Sequence, residues 1–279
     1  MDFKIGYNVK PKEINLANKV IFEKYNREGS GFEDVVPTQE ECEAYGFDFY
    51  DGKCSIVSDN TEFIKIDNTI QAGKRNDYKS NTDDCLFSGI DNTIFADCNN
   101  DLVVGNNNSI IPEVDNTIIS GTKGEATASN SIVLAGNNPT DNLAERQATT
   151  LMYGVQTTAN GTVASYLNNT TNSLFAIPTD TAMYFHADIL AVRVGGTGAG
   201  SAGDFMSWVE RGVIINKSGV LSIARERDLI KGAGNHTTWR PTAAVSGTNF
   251  VMNVRGAADT TIEWASTIRF TEIRTGVAL

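Results

Sequence analysis

The sequence predicts an all-β chain in three parts. These are a mixed N-terminal segment with a short helix over residues 1–59, a β-solenoid of sixteen-residue coils over 60–140, and an antiparallel, jelly-roll-like β-sandwich over 147–279. Three observations carry that prediction: an Asn/Asp repeat, a glycine column at twice its period, and a following series of alternating strands.

Asn60, Asn68, Asn76, Asp84, Asn92, Asn100, Asn108 and Asn116 stand eight residues apart, and Asn130 and Asn138 continue the series after a longer step. Each unit runs on with Thr, Ser, Asp or Cys and then usually an apolar residue, as in Asn92-Thr93-Ile94-Phe95 and Asn116-Thr117-Ile118-Ile119. Gly73, Gly89, Gly105 and Gly121 lie sixteen apart, while the alternate units carry Asn81, Asp97 and Glu113, so the structural period is sixteen. Two short strands and two turns per coil are what a narrow solenoid needs, with coils stacking as parallel strands. An even period keeps each side chain on one face. Ile70, Leu86, Leu102 and Ile118 are expected on one inner wall, and Tyr78, Ile94 and Ile110 on the other. The Asn column is expected to form an amide ladder at one corner and the glycines to form the tighter corner. The fourteen-residue step from Asn116 to Asn130, which contains Gly121 and Gly124, predicts one shortened coil.

In the N-terminal segment Ile14, Ala17, Val20, Ile21 and Tyr25 form a helix-like stripe between Lys10 and Tyr25. A sharper signal follows at Pro37-Thr38-Gln39-Glu40-Glu41, where Thr38 is an N-cap, Glu41 completes a capping box and Gly46 ends the helix. Gly29-Ser30-Gly31 is expected as a hinge. Such a segment is suited to cap the open end of a solenoid or to dock into a larger assembly.

Beyond Pro139-Thr140-Asp141-Asn142 the repeat stops. Strands are expected over 151–157, 163–167, 173–177, 183–194, 205–215 and 220–229. Phe250, Met252 and Val254 alternate, as do Ile262, Trp264, Ile268 and Phe270. Strands of this number and spacing predict the sandwich.

Composition narrows the function. A formal charge of −11 argues against nucleic-acid binding, which needs a basic surface. No window approaches eighteen apolar residues and the start lacks a secretion signal, so assembly in a cytoplasm without membrane insertion is expected. Cys42, Cys54, Cys85 and Cys98 have no metal-like spacing, and no metal or cofactor is expected. Cys42 and Cys54 flank a short loop but are expected as free thiols. Gly198-Ala199-Gly200-Ser201-Ala202-Gly203 matches a dinucleotide-binding fingerprint, yet strand-like residues follow it where a helix is required, so a hairpin loop is expected instead. Asp180, Asp188, Glu210, Glu226 and Asp228 are the carboxylates from which a hydrolytic pair could be drawn. Arg225-Glu226-Arg227-Asp228 reads instead as a solvated strand face, and no catalytic residue is assigned. His186 falls on a strand face with Tyr184 and Asp188. His236, Trp239 and Arg240, in a polar loop, are the candidate ligand contacts, because loop aromatics stack on sugars and partner proteins.

The coils Asp115-Asn116-Thr117-Ile118-Ile119-Ser120-Gly121 and Ser129-Asn130-Ser131-Ile132-Val133-Leu134-Ala135-Gly136 resemble those of bacteriophage virion fibre proteins and, more distantly, trimeric autotransporter adhesin heads. The likeness covers about residues 60–140. Leu151-Met152-Tyr153-Gly154, Ile177-Pro178 and the closing Ile262-Glu263-Trp264 strand are similar to β-sandwich tips of phage virion proteins. The Pro37–Gly46 segment is similar to virion proteins of crAss-like phages. The resemblance implies a non-enzymatic homotrimeric head or tail fibre of the virion. Residues 1–59 would bind other virion proteins, the solenoid would be the shaft, and the sandwich would be a knob that either holds host surface glycan or simply projects from the particle. Phe87, Phe95, Val103, Ile111, Ile119 and Val133, apolar and expected to point away from the coil interior, are assigned to the trimer seam. The alternatives are a glycan-degrading tail spike and a bacterial surface adhesin, the latter requiring a signal peptide and membrane anchor that are not expected here.

Overall fold

The computed structural model describes residues 8–14, 19–26, 31–50, 52–55, 64–66, 69–79, 82–136, 142–234, 236 and 238–275. The chain is all-β, with a solenoid of about four turns and a C-terminal region built from long strands.

Strands β1 (Val9–Ile14), β2 (Val20–Asn26) and β3 (Gly31–Val35) form an antiparallel sheet. The Lys10–Tyr25 stripe is therefore two strands rather than a helix. Its β-branched residues and Pro11 favour extended backbone, and Val9, Val20 and Phe22 are buried. Ala17, Gly29 and Ser30 lie outside the described residues. Helix α1 (Gln39–Ala44) begins where the capping box places it. The Thr38 hydroxyl accepts the Glu41 N–H at 3.3 Å, and the Glu41 carboxylate accepts the Thr38 N–H at 2.8 Å. A hairpin follows, β4 (Asp48–Tyr50) with β5 (Lys53–Ser55). Cys42 on the helix is disulfide-bonded to Cys54 on β5, their Cα atoms 5.7 Å apart, which corrects the expectation of free thiols. Both sulfurs sit in one small core with Val9, Val20 and Phe22, so packing brings them within bonding reach.

In the repeat, β6 (Ile64–Ile66) pairs antiparallel with β7 (Thr69–Lys74). Short and long strands then alternate: β8 (Asp77–Tyr78), β9 (Leu86–Ile90), β10 (Thr93–Ile94), β11 (Leu102–Asn106), β12 (Ser109–Ile110), β13 (Ile118–Thr122), β14 (Glu125–Ala126) and β15 (Ile132–Ala135). The long strands β7, β9, β11, β13 and β15 stack as one parallel wall, and β8, β10, β12 and β14 as the other. Thr93 pairs with Ser109 and Leu102 with Ile118, the expected sixteen-residue register. Ile118 pairs with Ile132, fourteen on, while Ile110 still pairs with Ala126, so the two missing residues fall after Ala126 and not near Gly121.

The two walls differ in phase. Ile94 and Ile110 point inward as expected, but on the long-strand wall the buried side chains are Phe87, Val103, Ile119 and Val133, while Ile70, Leu86, Ile118 and Ile132 are exposed. Inward positions alternate seven and nine residues apart, from Phe87 to Ile94 and from Ile94 to Val103, rather than eight and eight. Corner residues in the left-handed conformation, among them Asp91, Asp97 and Asn100, interrupt the strand alternation and reset it.

The Asn repeat likewise divides into two columns. Asn76, Asn92 and Asn108 form the ladder: each side-chain oxygen accepts the backbone N–H sixteen residues on, and each side-chain nitrogen donates to a glycine carbonyl thirteen residues on. Asn92 and Asn108 are buried. Asp84, Asn100, Asn116 and Asn130 instead hold positive φ at the other corner. Glycine is obligatory at Gly89 and Gly105, where φ is 131° and 122° and a Cβ would come within 1.8 Å of the next coil's carbonyl oxygen.

Strand β16 (Arg146–Thr157) pairs antiparallel with β15, so the solenoid wall runs directly into the C-terminal sheet. The remaining strands are β17 (Thr162–Leu167), β18 (Phe175–Ala176), β19 (Thr181–Gly196), β20 (Phe205–Lys217), β21 (Val220–Ala233), β22 (Arg240–Ser246), β23 (Asn249–Arg255) and β24 (Thr260–Arg274). One layer runs β21-β20-β19-β24-β16. The other has β23 between β17 and β22, with β18 also on β23. A single apolar core unites both layers, with Tyr153, Phe175, Phe185, Phe250 and Phe270 buried and Trp208 stacked on Trp264. The sequence missed β22 because Pro241, Ala243 and Ala244 dilute its strand signal.

At the junction the Arg274 guanidinium bonds both Glu125 of the last coil and Glu272 of β24. Gln147 donates to the Glu125 carbonyl at 3.1 Å and to Glu272 at 3.1 Å. Glu272 is buried. Desolvation pushes its carboxyl above the usual value, opposed by the Arg274 charge.

Candidate ligand site between the two layers

The first layer is wider than the second. β21 is its edge strand, β22 approaches it from the other layer, and residues 224–233 of β21 are exposed. Arg227 spans the gap and donates to the Pro241 carbonyl and to the Thr242 hydroxyl. Deeper in, the fully buried Glu210 of β20 accepts from Arg225 at 2.9 Å and from the Ala243 N–H at 2.9 Å. Glu210 is thus a tie between the layers.

Beside β20 and β21 lies a cavity of about 590 Å³ lined by Met206, Trp208, Arg227, Leu229, Gly232, Gly234, His236, Trp239 and Arg240. The sequence-predicted contacts His236, Trp239 and Arg240 all line it. Their exposure differs from the loop picture. The His236 and Trp239 rings stack with centroids 4.0 Å apart and are buried, whereas Arg240 is exposed. The His236 carbonyl accepts the Trp239 N–H, closing the turn that brings the rings together.

Behind the cavity, His236 Nε2 lies 3.0 Å from an Asp204 carboxylate oxygen, which also accepts the Ser201 N–H at 2.7 Å. That backbone bond, with His236 adding to it, holds the Asp204 carboxyl below its ordinary value. The glycine-rich stretch folds over this pair. Its carbonyls at Gly195, Gly196, Gly198 and Ala199 all accept from the buried Arg193 guanidinium, at 2.7–3.1 Å. An arginine of the chain therefore fills the loop that matches a dinucleotide fingerprint. Gly200, with φ of 101°, is required because a Cβ would lie 2.5 Å from Asp204 and 2.9 Å from His236.

Each of the other candidate carboxylates has a local partner. Glu226 and Asp228 pair with Arg211 on the outward face, Asp188 lies 3.4 Å from His186, and Asp180 accepts the Ser218 N–H at 3.0 Å. A second, shallow cavity of about 490 Å³ on that face is lined by Tyr184, Val213, Ala224 and the Arg211–Glu226 pair, among others. Sequence reasoning missed Asp204, Trp208 and Arg227. Nothing local in the sequence shows that β21 outruns the layer opposite.

The seam residues require correction. Phe87, Val103, Ile119 and Val133 are in the core of the chain's own coil, Ile111 packs partly against it, and only Phe95, at 38 %, is exposed. The phase reset between the walls puts Ile70, Leu86, Ile118 and Ile132 on the surface instead.

No protein-family model matches the chain, and no curated protein matches its sequence. Among solved structures, the tailspike of Acinetobacter baumannii phage AM24 is similar over 73 % of this chain and 51 % of its own, at 10 % identity and a TM-score of 0.29. The tailspike of Acinetobacter phage vB_ApiP_P1 matches over 73 % and 54 %, at 10 % identity and 0.24. The gp49 tailspike of A. baumannii phage Fri1, described as a capsular polysaccharide depolymerase, matches over 67 % and 42 %, at 7 % identity and 0.24. The chain spans about half the length of these tailspikes. The expectation of a non-enzymatic protein is withdrawn, gp49 being described as a depolymerase. The likeness to these tailspikes is one of coarse β-architecture.

Proposed function

We propose that the chain is a virion-associated bacteriophage tailspike that engages and degrades host surface polysaccharide, with the solenoid as a shaft and the two-layered domain as the part that meets the glycan. The observation that carries this reading is the cavity at the open side of β21. It is concave, it lies on a rigid sheet continuous with the shaft, and it combines ring edges, guanidinium groups and an imidazole–carboxylate pair. The Asn-Thr-Ile coils support the virion assignment. Homotrimeric assembly is part of the proposal, supported by the exposed column Ile70, Leu86, Ile118 and Ile132, which a lone solenoid leaves in water. Attachment to the particle through residues 1–59 completes it.

The test is incubation of the purified chain with capsular polysaccharides from a panel of bacteria, followed by size-exclusion chromatography and reducing-end measurement. Shortened chains with new ends are expected. Retention of polysaccharide without shortening would leave a receptor-binding fibre, and the absence of both binding and shortening overturns the proposal.

A further inference from the structure

We infer that the cavity beside β21 is a subsite for a carboxylated pyranose, a uronic acid residue of an acidic polysaccharide; this rests on the polysaccharide reading above. In a chain of net charge −11 its described lining contains two arginines and no carboxylate. Arg240 is exposed at the rim, and among the described residues no hydrogen bond or ion pair engages its side chain. Arg227 is oriented by its bonds to Pro241 and Thr242 through Nη1, which leaves its other nitrogens to donate. Two carboxylates lie nearby and both are committed: Asp204 to His236 and the Ser201 N–H, and Glu210, cross-strand from Arg227, to Arg225 and the Ala243 N–H. A planar carboxylate suits paired guanidinium groups, which offer parallel N–H donors. Met206, Trp208 and Leu229 give the same cavity an apolar side against which the C–H face of a sugar ring packs. The volume falls in the ~300–1,000 Å³ range of small-ligand sites.

The experiment is titration calorimetry of the full chain with oligogalacturonate, oligomannuronate and a glucuronate-containing repeat, each paired with its carboxyl-reduced form. At least one uronate is expected to bind, at least tenfold more tightly than its reduced counterpart and more weakly as salt rises. Arg240→Gln is expected to weaken uronate binding about tenfold and to leave the reduced form unaffected. Arg240 is exposed, so this variant should keep the fold, which the melting curve checks. Equal binding of acidic and reduced chains overturns the uronate assignment while sparing the polysaccharide reading, as does an Arg240→Gln variant with unchanged affinity. Absence of binding by any of the six preparations overturns the assignment. Only the capsular panel above, if it too shows nothing, removes the broader reading.

Discussion

Ile132 of the last coil pairs with Thr150 of β16 across an antiparallel ladder, so the parallel wall of the solenoid and the long sheet of the C-terminal domain are one hydrogen-bonded surface. The Glu125–Arg274–Glu272 network fastens the same junction from the second wall. The solenoid and the sheet that bears the cavity are thereby joined through continuous backbone pairing.

The glycine column makes a steep prediction. Gly105→Ala forces a Cβ into the Gly121 carbonyl at a φ that L-residues avoid, and is expected to cost about 3–5 kcal/mol in urea denaturation. Gly219→Ala, at φ 88° but with no atom within 4 Å, is expected to cost only about 1 kcal/mol.

Two asparagines of one repeat should behave oppositely. Asn92→Ala strips partners from the Asn108 N–H and the Gly105 carbonyl inside the stack and is expected to destabilise by about 2–4 kcal/mol. Asn100→Gly, at an exposed left-handed corner, is expected to change stability by no more than about 0.5 kcal/mol. Paired melting curves measure the difference.

Asp101 should make the shaft sensitive to pH. Burial raises its carboxyl to about 6 from the ordinary 3.8, even though it accepts the Thr117 N–H and hydroxyl. The folded chain therefore holds its proton more tightly than the unfolded chain. The cost of ionising Asp101 is fully present above pH 6 and is relieved as pH falls from about 6 to about 4. Asp101→Asn is expected to stabilise the chain at pH 8 by up to about 3 kcal/mol and to have little effect at pH 4, in thermal melts across that range.

The phase of the long-strand wall is tested by neighbours. Phe87→Ala is expected to cost about 3–5 kcal/mol, because Phe87 is fully buried in the coil. Leu86→Asp, on the exposed column, is expected to leave the folded coil intact while lowering the native mass measured by light scattering from that of a trimer to that of a single chain. An unchanged mass would move the subunit contact elsewhere.

Much of this fold was legible because repetition and capping are local. The sixteen-residue period, the Thr38–Glu41 capping box and the alternation of β24 can all be read from residues a few positions apart. What failed depended on how distant segments meet. Whether Phe87 or Leu86 faces inward turns on how many residues each corner consumes and in what conformation. The Cys42–Cys54 bond depends on a helix packing against a hairpin. For the ligand site, the 236–240 turn was visible as an aromatic and basic loop, but Asp204, Trp208 and Arg227 reach it only through the pairing of β20 with β21.

The interchangeable coils also make the molecule a ruler. Each sixteen-residue unit repeats the same register, amide ladder and glycine contact, so inserting or deleting one unit changes the reach of the terminal domain by one interstrand step, about 4.8 Å. The distance at which the chain holds its cavity can therefore be set in discrete increments by duplication within the gene, without redesigning either end.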